Sequence, residues 1–136
     1  MADINAALAW TGEGLQFRGG VAGGPELLLD SDGAAGPSPV HALVLALASC
    51  MAIDVLDIAQ KSRVPITGLS VVVEGDRRAD PPRRITAVRQ VFRTTGVAEA
   101  DRAKVSRAID LSREKYCSVL HSLREDIEMS FDLELG

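Results

Sequence analysis

The chain has 136 residues, a formal net charge of -4, and 46% hydrophobic but only 4% aromatic residues. That length suits one domain with a core large enough to need no disulfide or structural metal. The acidic balance gives no footing for nucleic acid or anionic lipid as a partner. The core must be built from Val, Leu, Ile and Ala. No repeat or linker divides the chain, so a single domain over residues 1–136 is expected. Met1-Ala2-Asp3-Ile4-Asn5 lacks a basic region leading into an apolar run, so no signal peptide is expected. The run Ala42–Ala48 is too short for a bilayer, which takes about 20 residues. A soluble, cytoplasmic protein follows, in which thiols stay reduced and a static disulfide is out of place.

In chain order, Asn5–Trp10 and Leu15–Arg18 flank the turn signal Gly12-Glu13-Gly14 and read as a hairpin. Glu26–Asp30 reads as a third strand after the Gly19–Gly24 bend, and Ser31–Pro37 as a loop. Ser38 then suits an N-cap and Pro39 the first position of a helix. From Val40 to Ile53 the only polar side chains are His41, Ser49 and the thiol of Cys50. A helix apolar on all sides must be buried on all sides. One domain of this size rarely encloses a helix alone, whereas a sheet on one side and a second subunit on the other would. Polar positions return at Asp54, Asp57, Gln60 and Lys61, and Pro65 marks the end. Leu69–Glu74 and Ile85–Thr94 form a second hairpin across Asp80-Pro81-Pro82. Val97–Leu123 follows the helical period through Val105, Ala108, Ser112, Tyr116 and Leu120, with a break expected near Ser112. Ile127–Leu135 alternates strictly and predicts a strand with one wet face. The order βββ-α-ββ-α(α)-β defines an α+β protein.

Two cysteines in a reducing compartment are either inert core residues or redox chemistry. Cys50 lies too deep in its helix to draw on the macrodipole, which fades within the first turn. His41 precedes it by nine residues, which at about 100° per residue puts the two on opposite sides of the helix. Asp54, one turn on, would raise the thiol pKa. Cys50 therefore reads either as a small core hydrophobe or as a thiol needing a cation from elsewhere, with an arginine the natural choice. Cys117 has Arg113 and Lys115 nearby in sequence and His121 one turn away, and the same two readings stay open. Metal ligation has no support, because no pair of His or Cys stands at ligand spacing. Arg77, Arg78, Arg83 and Arg84 lie among Asp76 and Asp80 and read as a solvated hairpin tip. The Gly19–Gly24 stretch lacks the Lys-Ser/Thr and helix start of a phosphate loop. No cofactor is expected.

Gly36-Pro37-Ser38-Pro39, followed by the apolar helix ending Leu47-Ala48-Ser49-Cys50, resembles the first cysteine motif of the OsmC/Ohr superfamily. Ala108-Ile109-Asp110-Leu111-Ser112-Arg113-Glu114-Lys115-Tyr116-Cys117-Ser118-Val119 resembles its second. The likeness covers nearly the whole chain and is closest to the short, general OsmC-like branch. It implies an OsmC-like fold in an intertwined homodimer, with sheets wrapped around two long central helices and two sites at the subunit interface. It implies an organic hydroperoxide reductase in which Cys50 attacks the peroxide and Cys117 resolves the sulfenic acid as a disulfide. A thiol partner, a dithiol or a lipoylated protein, would then reduce that disulfide. In the peroxidases of the family a glutamate shortly after the helix-opening proline holds an arginine over the thiolate. Here Val40 and His41 follow Pro39. The arginine, for which Arg18 is the choice, is then held differently or not at all. A non-catalytic dimeric protein that binds a small molecule, or a thiol redox sensor, is the alternative.

Overall fold

A computed structural model describes residues 2–136. It comprises two compact units divided between Leu43 and Val44. The expected order of elements is observed: three strands, a long helix, two strands, a broken helical segment and a last strand.

The N-terminal unit holds a three-stranded antiparallel sheet of β1 (Ala7–Trp10), β2 (Gln16–Gly20) and β3 (Glu26–Asp30) in sequential order. Its register places Trp10, Phe17 and Leu29 in one cross-strand row. Leu8, Gly19 and Leu27 form a second row on the same face. Gly19 is required there: a Cβ would meet the Ala7 carbonyl oxygen at 2.7 Å and the Leu8 side chain at 2.8 Å. Asp30 closes the sheet and shapes the loop that follows. Its two carboxylate oxygens accept from the Asp32 and Ala35 amides, each at 3.0 Å. These amides, Ala35 first, hold the Asp30 carboxyl below its usual range. Ser38 then caps α1 (Pro39–Lys61), with its hydroxyl accepting from the His41 amide at 3.3 Å.

The unit beginning at Val44 contains most of α1. Leu47, Met51, Val55 and Ala59 recur every fourth residue and are buried on one face. The helix ends at residues the sequence reading passed over. Arg63 takes a left-handed conformation (φ 58°), the Val64 amide reaches back to the Ala59 carbonyl, and the Arg63 amide reaches back to that of Gln60. This paired closure, commonly built on glycine, ends the helix ahead of Pro65.

The second sheet has the order β4-β5-β6, from β4 (Gly68–Arg77), β5 (Ile85–Thr95) and β6 (Glu128–Leu135). β4 and β5 are antiparallel, whereas β5 and β6 are parallel. A parallel pair needs a crossover of about a dozen residues or more, and the helical segment between β5 and β6 supplies it. It comprises a 3-10 turn at Glu99–Asp101, α2 (Arg102–Leu111), a π turn at Ser112–Tyr116 and α3 (Ser118–His121). The break expected near Ser112 is therefore this π turn. Val88 and Phe92 of the central strand, the α1 stripe, and Val105, Ala108 and Ile109 of α2 form one buried cluster that includes Cys117.

Only one side of α1 is spent on that core. Leu45, Ile53 and Leu56 stand exposed on the other, Ile53 at 65%. The helix that the sequence required to be enclosed on all sides is enclosed on one within a single chain. At 23 residues it is also long and apolar enough to cross a membrane by length and composition, which the run Ala42–Ala48 alone is not. Its Leu47–Ala59 stripe belongs instead to the core cluster.

Candidate functional site

The structure brings the two cysteines together. Cys50 projects from the flank of α1, half-buried against the core, and Cys117 is fully buried where the π turn gives way to α3. Both are free thiols.

Cys117 is the N-cap of α3. Its backbone is extended (φ -72°, ψ 100°), and its sulfur accepts from the Leu120 amide at 3.3 Å. This cap turns the next amides and the Ser118 hydroxyl toward Cys50. The Cys50 sulfur lies 3.9 Å from Ser118 Oγ. Burial pushes the Cys50 thiol up, but the Val119 amide, the Cys117 thiol and the Ser118 hydroxyl together outweigh it, and the net direction is down. All three donate to a thiolate better than to a thiol, which is why they favour the charged form. For Cys117 the balance is reversed. Burial first, then its Cys50 neighbour and the Asp54 carboxylate, push it up to about 11, against the Leu120 amide. One sulfur favours the thiolate and the other the thiol, because a thiolate beside a thiol suppresses a second ionisation.

The cations near Cys117 in sequence turn elsewhere. Arg113 stacks on the Phe131 ring, 5.0 Å from its centroid, and Lys115 sits 5.3 Å from that of Tyr116. His121 Nε2 meets the Arg113 carbonyl at 3.0 Å. The charged group that does act on the thiols is an anion. Asp54 opposes ionisation of both, as its position one turn after Cys50 suggested. Arg18 lies exposed on β2 of the N-terminal unit. Among the described residues no three His, Cys, Asp or Glu side chains gather as a metal site.

Three contributors escaped the sequence reading: the Ser118 hydroxyl, the Val119 amide and the hydrogen bond from Ser112 Oγ to Asp54 Oδ2, 2.8 Å. The amides of Val119 and Leu120 become available because a new helix starts after Cys117. The sequence feature from which that start follows is the break near Ser112.

A family model described as OsmC-like protein matches residues 31–132. The chain is 38% identical over 133 residues to the Escherichia coli protein YhfA, covering 97% of this chain and 98% of YhfA. This chain belongs to the OsmC-like family. Its fold is also that of an OsmC-like protein from Mycoplasma pneumoniae, at 15% identity and TM-score 0.78 over 99% and 96% of the two chains. It matches the organic hydroperoxide resistance protein OhrB of Bacillus subtilis too, at 16% identity and TM-score 0.68, over 98% of this chain and 100% of OhrB.

The site predicts the order in which the thiols react. In alkylation with iodoacetamide across pH, Cys50 should react with a midpoint below that of an ordinary thiol, and Cys117 only near pH 11. Asp54→Asn should lower both midpoints, because an opposing carboxylate is removed from each. Equal midpoints in the wild type, or a rise in the variant, would contradict this electrostatic account.

Proposed function

We propose that this chain is a cysteine-dependent organic hydroperoxide reductase in oxidative-stress defence, with Cys50 attacking and Cys117 resolving. The observation that carries the reading is the contact of two free thiols whose pKa values are driven in opposite directions. The Cys50 thiolate attacks the terminal peroxide oxygen, the O–O bond breaks, and the alkoxide leaves as an alcohol after taking a proton. Cys50 is left as a sulfenic acid. Cys117 then attacks the Cys50 sulfur. An S–S bond forms, the S–O bond breaks, and the hydroxyl departs as water with the Cys117 proton. An external thiol reductant, a dithiol or a lipoylated protein, returns the pair to the reduced state by thiol–disulfide exchange. Half-buried apolar surroundings at Cys50 suit an alkyl hydroperoxide better than hydrogen peroxide. Arg18 is the proposed cation for the developing alkoxide.

The active form in this reading is a cytoplasmic homodimer, with no part for nucleic acid or membrane. The exposed apolar side chains Leu45, Ile53 and Leu56 of α1 support it. A contiguous exposed apolar patch is a liability in a monomer, and burying each such side chain contributes about 1.5–3 kcal/mol. A thiol redox sensor with slow turnover is the second reading, favoured by the anionic Asp54 beside the thiols.

Cumene hydroperoxide consumption with dithiothreitol as reductant tests the roles. Cys50→Ser should abolish turnover, and Cys117→Ser should leave a sulfenic acid or a mixed disulfide on Cys50. Arg18→Ala should lower kcat/KM roughly tenfold or more, since a charge-assisted hydrogen bond is worth about 1.5–3 kcal/mol. Full turnover in Cys50→Ser would remove the peroxidase assignment. Light scattering should report a dimer for the wild type and a shift toward monomer for Ile53→Asp. A monomeric wild type at micromolar concentration would refute the homodimer.

A further inference from the structure

Asp54 presents a contradiction. Its carboxylate stands one helical turn after Cys50 and works against ionisation of both thiols. A group that lowers the reactivity of the pair electrostatically must contribute something else if the pair is to work. Its hydrogen bond shows what. Ser112 Oγ donates to Asp54 Oδ2 at 2.8 Å, joining positions 58 residues apart in sequence.

Ser112 is itself fully buried and holds Cys117 by a second route. The Cys117 amide donates to the Ser112 carbonyl at 2.9 Å, which closes the five-residue π turn. One residue therefore grips α1 with its side chain and the resolving cysteine with its backbone. The π turn is itself uncommon, and such single turns concentrate at functional sites. Continued as a regular α-helix, the segment would point residue 117 in a different direction, because each residue adds about 100° of rotation. The bond to Asp54 is the polar contact of Ser112's side chain that pins this irregular turn to the helix bearing Cys50.

Resting on the two-thiol reading above, we propose that Asp54 and Ser112 are positioning residues: their hydrogen bond latches the Ser112–Tyr116 turn to α1, so that Cys117 meets the oxidised sulfur of Cys50. The step they govern is disulfide closure. In it the Cys117 sulfur bonds to the Cys50 sulfur, the S–O bond of the sulfenic acid breaks, and the Cys117 proton leaves with the hydroxyl as water. Closure is intramolecular, so its rate depends on how well the two sulfurs are held in line. Peroxide attack forms no bond to the Cys117 sulfur, so closure is the step that most needs the two sulfurs in line.

The variants are Ser112→Ala and Asp54→Ala, which remove the bond, and Asp54→Asn, which removes the charge but keeps a carbonyl oxygen to accept from Ser112. Full-length protein is given one equivalent of cumene hydroperoxide, with a dimedone-type trap competing against closure, and both products are mapped by mass. In the two alanine variants the Cys50 thiol should still be consumed, while the disulfide forms about tenfold more slowly and the trapped adduct rises in proportion. Asp54→Asn should close at least as fast as the wild type, because the bond is kept and a charge opposing Cys117 ionisation is removed. The double alanine variant should be no worse than either single, because both act through one bond. Closure in Ser112→Ala as fast as in the wild type overturns the latch, and so does equal loss in Asp54→Asn. If no variant and no wild-type sample consumes Cys50 thiol, the peroxidase reading fails on its own. The latch is then judged by equilibrating the pair with oxidised dithiothreitol, which needs no peroxide. There Ser112→Ala should disfavour the disulfide about tenfold, or about 30 mV, relative to the wild type, and Asp54→Ala should do so relative to Asp54→Asn, which lacks the same charge. Equal potentials across the set overturn it.

Discussion

The contact between the Cys50 sulfur and the segment Cys117–Val119 is the interaction on which the rest of the site depends. A cysteine half-buried against an apolar core is by default an unreactive thiol, since low dielectric surroundings oppose the thiolate. Hydrogen bonds from the Val119 amide, the Cys117 thiol and the Ser118 hydroxyl reverse that default. Each unit of pKa shift represents about 1.36 kcal/mol, so a few modest donors are enough to decide the ionisation state. Those donors exist only because α2 stops, a π turn intervenes and α3 starts afresh with Cys117 as its cap. The irregularity in the helical segment and the chemistry at Cys50 are thus one feature.

The same arrangement divides labour between the sulfurs. Cys117 is wholly enclosed, donates to its neighbour and is held protonated up to about pH 11. Ionising Cys50 makes ionisation of Cys117 harder, so the pair cannot become two nucleophiles at neutral pH. Once Cys50 is oxidised to a neutral sulfenic acid, that repulsion disappears and Asp54 remains as the opposing charge. The same carboxylate accepts from Ser112 Oγ, the bond proposed to hold the π turn to α1. Electrostatics and geometry therefore pull against each other at this residue.

Much of the fold was legible because it rests on periodicity. Glu26–Asp30 and the helix start at Pro39 fall where the sequence placed them, and the last strand alternates as its residues require. The parallel pairing of β5 with β6 was not legible, since strand direction depends on a crossover whose path no local pattern encodes. At the site, both cysteines and the opposing role of Asp54 could be read from residue types and helix spacing. The donors could not, because two are a backbone amide and a hydroxyl placed by a tertiary contact. Proximity in sequence also misled: Arg113 and Lys115 are spent on aromatic rings, and only the packing of β6 and the π turn decides that. The reading of α1 as enclosed on all sides is half met within the chain, and the exposed Leu45, Ile53 and Leu56 mark the side left for a second copy in the proposed dimer.

The central claim is that Cys50 and Cys117 form one redox pair. It is tested most directly by titrating the free thiols of the purified protein before and after one equivalent of cumene hydroperoxide, with mass mapping of the cysteines. The account predicts the rapid loss of two thiols per chain and recovery of a Cys50–Cys117 disulfide. Survival of both thiols in excess peroxide would contradict it.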